Sequence, residues 1–300
     1  MHLRLLGSAA GGGYPQWNCA CRLCQRVRSK ELNSHARSHT SLAVSATCRH
    51  WYLLNATPDV HTQIESFPPL HAGPGLRETP VRGVLLTDAE LDHTLGLLIL
   101  REGTSLEVFA TATALAALAE PFPVRQILHS YAPFRWQEVK PGEAFLLDED
   151  KLRVEAFRLG TKRPRCATTA RIGDDWVIGY RFEDLAGGGV AVYAPAIEAW
   201  TSELDAQLSG AHCAFIDGTF WTDDEMIRLG ASRLKGREMG HLQISGAGGS
   251  AERLAASPIP RKVYVHINNT NPILDEESAE RRMLADIGIE IGWDGMEVEV

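Results

Sequence analysis

Short runs of apolar and β-branched residues recur along the whole chain, separated by turns rich in glycine, proline and polar residues. Runs of about four to eight such residues between turn signals are typical of strands buried in a sheet. The pattern therefore predicts strands over 3–6, 41–46, 51–55, 81–87, 106–110, 152–159, 169–172, 176–180, 190–193, 213–217 and 263–267.

Helix-like segments lie between these strands, over 111–118, 195–208, 249–256 and 276–287. The last segment opens with acidic residues, which stabilise the N-terminus of a helix. The sequence contains neither an internal repeat nor a linker long enough to separate two domains. We therefore expect one continuous domain over 1–300, with strands in two sheets flanked by helices.

Composition narrows the class of protein. The 300 residues are 44% hydrophobic and 23% charged, which are ordinary globular values and exclude intrinsic disorder. A net charge of −8 argues against a broad basic face, so we expect no nucleic-acid partner. The N-terminal apolar run is too short for a secretory signal, and no run of about 18 apolar residues occurs. These features predict a cytoplasmic protein without membrane insertion.

A cluster of potential metal ligands follows one of the predicted strands directly. The strand over 81–87 leads into a loop that presents Asp88, Glu90, Asp92 and His93 within six positions. Oxygen and imidazole donors packed this closely would be unstable if they were buried without a cation, so the pattern favours a divalent metal. The alternative, on charge alone, is a solvated acidic loop that caps the following helix.

Three further side chains suited to metal binding or catalysis stand at predicted strand ends: Asp217, His241 and His266. A single histidine is more often a satisfied core or surface residue, so none of these positions is persuasive by itself. The prediction of a site rests on the whole set.

The segment TDAELDH resembles the hallmark of the metallo-β-lactamase superfamily, Thr-His-x-His-x-Asp-His. Asp88 and Glu90 stand where the superfamily has its first two histidines, whereas Asp92 and His93 keep the superfamily residue types. The third superfamily histidine is also missing, because GTKRPR follows the strand over 152–159. The resemblance implies an αββα sandwich of two mixed β-sheets flanked by helices.

The same resemblance implies roles for the three downstream residues. Asp217 falls at the bridging aspartate and His266 at the last ligand of the superfamily. His241, in GHLQIS, is similar to the His-x-Thr/Ser segment of the ribonuclease Z branch, where the histidine assists chemistry.

Three segments together resemble the pyrroloquinoline quinone (PQQ) biosynthesis protein B family nearly end to end: GSAAGGGYPQWNCACRLC, LLTDAELDHTLGLLILREG and HINNTNPIL. This resemblance implies a role in making the redox cofactor PQQ from a Glu–Tyr unit of a precursor peptide. The family resemblance leaves two activities open, an iron-dependent hydroxylase of the tyrosine ring and a carrier of PQQ or its precursor toward the periplasm. A zinc-dependent hydrolase is a further alternative, which the missing histidines disfavour.

The retained donors resemble the open facial site of mononuclear iron(II) oxygenases: Asp92, His93, Asp217 and His266. We expect one iron(II) there, with zinc as the alternative ion in the isolated protein. Asp88, Glu90 and His241 are then the candidate catalytic residues, with Asp88 and Glu90 acting as bases or as groups that orient the ligands.

A second cluster has the C-x-C-x-x-C spacing of a structural zinc site: Cys19, Cys21 and Cys24. In related phosphodiesterases of the superfamily, a histidine three positions after the last active-site histidine completes such a site. The equivalent position here is Asn269, and His35, His39 or a water molecule are the other candidates for the fourth ligand. Three reduced cysteines that only pack in the interior are the alternative.

The basic stretch with Lys162, Arg163 and Arg165 is a candidate for binding the carboxylates of a Glu–Tyr substrate, because guanidinium groups bind carboxylates in a bidentate manner. The alternative is a solvated loop. A homodimer is expected only because symmetric dimers are the commonest oligomers.

Overall fold

The computed structural model describes residues 1–31, 33, 35–102, 105–168 and 173–300. Within these residues two seven-stranded sheets are present. The first sheet has the order β14-β1-β2-β3-β4-β5-β6: β1 (His2–Gly7), β2 (Ser41–Ser45), β3 (Trp51–Leu54), β4 (Val81–Leu85), β5 (Glu107–Ala110), β6 (Arg135–Glu138) and β14 (Glu297–Glu299).

The second sheet has the order β13-β12-β11-β10-β9-β8-β7. Its strands are β7 (Ala144–Leu147), β8 (Leu152–Gly160), β9 (Val177–Asp184), β10 (Val190–Ala194), β11 (Cys213–Asp217), β12 (Arg261–Val265) and β13 (Ile289–Ile291). Both sheets are mixed, with an antiparallel half and a parallel half. The parallel pairs are β3–β4, β4–β5 and β5–β6 in the first sheet, and β10–β11, β11–β12 and β12–β13 in the second.

Helices are short and connect the strands: α1 (Arg22–Arg28), α2 (Val60–Glu65), α3 (Leu91–Thr94), α4 (Gly96–Ile99), α5 (Ala112–Ala117), α6 (Val124–His129), α7 (Ser202–Leu208), α8 (Glu225–Arg228), α9 (Ser250–Ala256) and α10 (Ala279–Asp286). None of those in the described part of the chain combines the length and apolar character needed to cross a membrane.

One apolar core lies between the two sheets. The first sheet contributes Leu3, Leu42 and Leu85, and the second contributes Tyr193 and Phe215. All five residues of β2, and all five of β11, are buried. Both faces of these central strands are covered, which explains their continuous apolar sequence and confirms the predicted αββα sandwich.

Each predicted strand overlaps an observed strand except 169–172, which lies outside the described residues. The four strands that the prediction missed are β6, β7, β13 and β14, and these are the four edges of the two sheets. Edge strands are short and partly exposed, so a sequence such as Arg135–Glu138 contains no apolar run.

The predicted helix over 195–208 is wrong in its first half. Helix α7 begins only at Ser202, where the Thr201 side chain accepts a hydrogen bond from the Leu204 amide. The residues before it form a loop, and the amide of Ile197 donates to Asp217 Oδ2 at 2.8 Å. This loop therefore contributes a hydrogen bond to the candidate site and is not part of a helix.

Candidate metal centre

The loops that follow β4, β11 and β12 meet at one edge of the sandwich. The potential ligand atoms of Asp92, His93 and His266 lie within 4.8 Å of one another. The same holds for Asp217, His241 and His266, so His266 joins the two groups. Ligand sites commonly form beyond the carboxyl ends of parallel strands, where β4, β11 and β12 all end.

His93 is held from one side and open on the other. Its Nδ1 lies 2.8 Å from Asp88 Oδ2 and 2.9 Å from Asp88 Oδ1. Its Nε2 is buried without a hydrogen-bond partner in the described part of the chain, at 3.5 Å from Asp92 Oδ2. A histidine whose Nδ1 is fixed by a carboxylate is the usual arrangement of a metal ligand, so the orphaned Nε2 fits a bound cation.

His241 is held in the same way by a different carboxylate. Its Nδ1 lies 2.8 Å from Asp217 Oδ2, which also accepts from the Ile197 amide at 2.8 Å. Asp217 Oδ1 accepts from the Thr219 amide at 2.9 Å and from the Thr219 hydroxyl at 2.6 Å. Both oxygens of Asp217 are therefore engaged by donors of the protein.

His266 lies between the other two histidines. Its ring centroid is 5.4 Å from that of His93 and 5.1 Å from that of His241. The Thr219 hydroxyl lies 2.8 Å from its Nδ1, while its Nε2 lies 3.8 Å from Asp92 Oδ2. The backbone of His266 has φ +56°, which is uncommon for a residue other than glycine and marks a locally strained position.

The buried charges of the site shift each other's pKa values. Burial disfavours the charged form of His93, but Asp88 and Asp92 outweigh it and raise the pKa of His93 to about 9. Burial would raise the pKa of Asp92, yet His93 and His266 hold it well below its usual range. Burial lowers the pKa of His266, and the opposing hydrogen bond to Asp92 does not compensate. At pH 7 Asp92 is therefore ionised, His93 is protonated and His266 is neutral, and a cation that binds at His93 Nε2 replaces the proton there.

Glu90 lies at the start of α3 and is half-buried. Burial, together with the charges of Asp88 and Asp92, raises the pKa of Glu90 to about 7.

Among the predicted basic residues, Lys162 Nζ donates to the Glu238 carbonyl at 2.6 Å.

The other two basic residues have different surroundings. The guanidinium of Arg163 lies over the Trp176 ring at 5.6 Å, and Arg165 is exposed on the 3-10 turn Arg165–Ala167. Binding of the substrate carboxylates by these basic residues stays a prediction.

The second predicted cluster is also assembled. The three sulfur atoms of Cys19, Cys21 and Cys24 lie within 4.8 Å of one another. The Asn269 amide nitrogen lies 3.1, 3.7 and 3.4 Å from the sulfurs of Cys19, Cys21 and Cys24 respectively. A half-turn of this amide would place its oxygen against the sulfurs, and oxygen is the atom that binds zinc.

Neither of the two histidines considered for this cluster belongs to it within the described residues. His35 is exposed. His39 instead places Nδ1 2.7 Å from Asp59 Oδ2 and Nε2 3.3 Å from the Gly11 carbonyl oxygen. Gly11 in turn lies against the metal cluster, since a Cβ atom there would stand 3.1 Å from Asp92 Oδ2.

Comparisons with known proteins agree with this geometry. The family described as Beta-lactamase superfamily domain matches residues 50–267. The coenzyme PQQ synthesis protein B of Pseudomonas syringae pv. syringae is 41% identical over 305 residues, which cover 100% of both chains. The protein of the same name from Methylococcus capsulatus is 40% identical and covers 99% of both chains. The chain belongs to the coenzyme PQQ synthesis protein B family. The family resemblance found in the sequence is thereby confirmed.

Solved structures extend the comparison. The crystal structure of Zn(2+)-bound PqqB from Methylobacterium extorquens matches with a TM-score of 0.92 and 37% identity, over 100% of both chains. A diphosphatase from the PhnP family matches with a TM-score of 0.70 and 18% identity, over 100% of this chain and 96% of its own. The second match shows the fold alone, and both confirm the metallo-β-lactamase architecture of this member of the coenzyme PQQ synthesis protein B family.

Proposed function

We propose that this chain is a non-haem iron(II)- and dioxygen-dependent hydroxylase of PQQ biosynthesis, acting on the tyrosine ring of a Glu–Tyr derived precursor. The observation that carries the proposal is the orphaned, buried Nε2 of His93, which faces a carboxylate and a second imidazole. A mixed histidine and carboxylate set with open positions is the arrangement that iron(II) oxygenases use.

The proposed ligands are Asp92, His93 and His266, whose potential ligand atoms lie within 4.8 Å of one another. His241, whose potential ligand atom lies within 4.8 Å of that of His266, is proposed as a fourth donor. This set differs from the sequence-based one in the roles of His241 and Asp217. Both oxygens of Asp217 accept hydrogen bonds from the protein, so Asp217 orients His241 in the way that Asp88 orients His93.

Iron(II), when bound, supplies the activation of dioxygen. The protein's own side chains then have three tasks. The carboxylates Asp88 and Asp217 keep the hydrogen on Nδ1 of His93 and His241, so that each Nε2 faces inward. Glu90, with a pKa of about 7, can hold or release a proton at its carboxyl oxygen beside the site. Basic residues of the segment 162–165 supply positive charge for the precursor's carboxylates.

The cysteine cluster is proposed as a separate structural zinc site, with the Asn269 oxygen as the fourth ligand. The three sulfurs lie within 4.8 Å of one another and the Asn269 amide lies 3.1 Å from Cys19 Sγ and 3.4 Å from Cys24 Sγ, which supports a closed four-ligand site. The zinc would stabilise the loop around 19–24 against the turn that follows His266.

A two-zinc hydrolase is less well supported by the contacts of Asp88. In the superfamily frame this position would hold the first metal, but Asp88 bonds His93, the Thr87 hydroxyl and the Glu90 amide. Its oxygens are therefore already engaged in orienting the loop. A carrier would use the same ligand cluster, and it differs from a hydroxylase in binding the precursor without adding oxygen to it.

The test uses metal-stripped protein reloaded separately with iron(II) or zinc(II), incubated in air with a Glu–Tyr dipeptide and excess ascorbate and analysed by mass spectrometry. The ascorbate supplies the two electrons that reduce the second oxygen atom of dioxygen to water. The proposal predicts that iron-loaded protein, and not zinc-loaded protein, adds one oxygen atom to the dipeptide. The His93→Ala variant should lose this activity, whereas His71→Ala, which changes an exposed histidine, should retain it. Binding of the dipeptide without oxygen gain would favour the carrier, and cleavage with zinc would favour the hydrolase. Either result would overturn the hydroxylase.

A further inference from the structure

One buried hydroxyl contacts both halves of the metal cluster. The Oγ1 atom of Thr219 lies 2.6 Å from Asp217 Oδ1, 2.8 Å from the His266 carbonyl oxygen, 2.8 Å from His266 Nδ1 and 3.1 Å from His241 Nδ1. A hydroxyl has one hydrogen to donate and two lone pairs to accept with, so it cannot satisfy all four atoms at once.

The donor or acceptor character of the four partner atoms determines which hydrogen bonds Thr219 Oγ1 forms. Asp217 Oδ1 and the His266 carbonyl can only accept, so they compete for the single hydroxyl hydrogen. His266 Nδ1 must then donate its own hydrogen to Thr219. The hydrogen on His241 Nδ1 goes to Asp217 Oδ2, which at 2.8 Å is closer than Thr219 at 3.1 Å. With Nδ1 protonated in both rings, each Nε2 keeps its lone pair for a metal.

The hydroxyl is fixed in place by the backbone around it. Gly218 donates its amide hydrogen to the Val265 carbonyl at 2.7 Å, and the amide of Asn268 donates to the Thr219 carbonyl at 3.1 Å. The Asn271 side chain donates to the Gly218 carbonyl at 2.9 Å. These bonds join the turn after β11 to the turn after β12. The backbone therefore holds Thr219 next to His266, and no separate loop has to become ordered for the contact to form.

We infer that Thr219 is a positioning residue of this metal centre, as Asp88 and Asp217 are for the other two histidines: its hydroxyl holds His266 in the ring orientation and tautomer that present Nε2 to the metal. Two features of His266 need such a partner. Among the residues that the structure describes, its Nδ1 has no carboxylate partner like those of His93 and His241, and its backbone at φ +56° lies in the left-handed region. Thr219 contacts both the ring and the carbonyl of this one residue, and so stabilises the strained turn together with the ring. The inference rests on the proposed metal site.

The experiment measures the dissociation constant of cobalt(II) by competition with a chromophoric chelator, together with the visible absorption spectrum of the bound ion. Thr219→Val removes the hydroxyl at nearly constant shape. We expect its affinity to fall by about tenfold or more, the loss typical of groups that orient metal ligands, with shifted absorption bands. Thr219→Ser restores the hydroxyl and should restore affinity and spectrum. Thr222→Val is the matched control, because Thr222 is a half-buried threonine of the same loop whose hydroxyl donates to Asp224 at the surface.

Nitrogen-15 NMR of the histidine rings in the zinc-loaded protein gives a second readout that needs no variant. The inference predicts that His266 carries its hydrogen on Nδ1 and binds the metal through Nε2. An unchanged affinity and spectrum in folded Thr219→Val, or a His266 ring bound through Nδ1, would overturn the inference. Absence of cobalt binding at this site in the unmodified protein would instead overturn the proposed metal site itself, so the two failures are distinguishable.

Discussion

Asp88 Oδ2 lies 2.8 Å from His93 Nδ1, and neither side chain is more than 3% exposed. A buried imidazole with this partner has its Nε2 directed at the cluster of ligands, where it lacks any other hydrogen-bond partner among the described residues. In the proposed site Asp88 therefore orients the ligand His93, at the position where the superfamily resemblance places a metal-binding histidine.

We expect Asp88→Ala to lower the affinity of the active-site metal by about 10- to 100-fold, because His93 loses the group that fixes its ring. Asp88→Asn should fall between this variant and the unmodified protein, since an amide oxygen still accepts from Nδ1. The measurement is competition with a chromophoric chelator, and Asp286→Ala on the exposed face of α10 is the control. Equal affinities of Asp88→Ala and the unmodified protein would contradict this role.

The cysteine cluster predicts a zinc ion whose loss destabilises the protein. Cys21→Ser should lower the zinc content by about one ion per chain and lower the melting temperature, because structural zinc contributes directly to folding. Elemental analysis and thermal unfolding provide the two measurements. Cys48→Ser, at an exposed and isolated cysteine, should change neither quantity. Unaltered zinc content in Cys21→Ser would exclude the site.

Two buried tyrosines give a matched test of hydrogen bonding beneath the site. The Tyr180 hydroxyl donates to the Leu86 carbonyl at 2.9 Å, whereas the Tyr193 hydroxyl is buried without a partner in the described part of the chain. Tyr180→Phe should lower the free energy of unfolding by about 1 kcal/mol, because the Leu86 carbonyl is left unpaired. Tyr193→Phe should leave the free energy of unfolding unchanged or raise it. Urea unfolding measures both, and a larger loss for Tyr193→Phe would refute the assignment.

The pair of His39 and Asp59 predicts a pH-dependent contribution to stability. Burial opposes the charge of His39, but the bond to Asp59 raises the pKa of His39 above its ordinary 6.5. The bond to His39 is the main cause that holds the pKa of Asp59 below 3.8. The histidine's contribution is therefore complete below pH 6.5 and is lost as pH rises through its higher folded-state value. The aspartate's contribution is present above pH 3.8 and is lost on further acidification.

His39→Asn should accordingly lower the free energy of unfolding by about 0.5 to 1 kcal/mol at pH 5.5, a range typical of partly exposed ion pairs. The difference from the unmodified protein should shrink at pH 9, where the imidazole has lost its charge. Urea unfolding at both values provides the comparison. A difference that grows toward pH 9 has the wrong sign for this pair.

The sequence was sufficient for the centre of the fold but not for its edges. Strands such as Ser41–Ser45 and Cys213–Asp217 are buried on both faces, so their apolar runs identify them. Edge strands such as Glu297–Glu299 alternate exposed and buried residues over only three positions, which a single sequence does not distinguish from a loop.

The same division holds at the site. Asp92, His93 and His266 could be named from the sequence because each follows a strand and carries a metal-binding group. Thr219 could not, because a threonine two residues after an aspartate has no distinctive pattern. Thr219 contacts His241 and His266 only because the turns after β11 and β12 lie side by side in the fold. The role of Asp217 likewise depends on an amide from the distant loop at Ile197, which motif spacing cannot reveal.

In the proposed function the histidine cluster would hold iron(II), and the oxygen atom added to the aromatic ring would come from dioxygen. The most direct measurement is mass spectrometry of the product formed by iron(II)-loaded protein from the Glu–Tyr dipeptide, with ascorbate as reductant, under ¹⁸O-labelled dioxygen and in a parallel reaction in ¹⁸O-labelled water. We expect the added oxygen to carry the label from dioxygen, and Asp92→Ala to abolish its incorporation. Label derived only from water, or incorporation that survives the loss of Asp92, would contradict the proposed function.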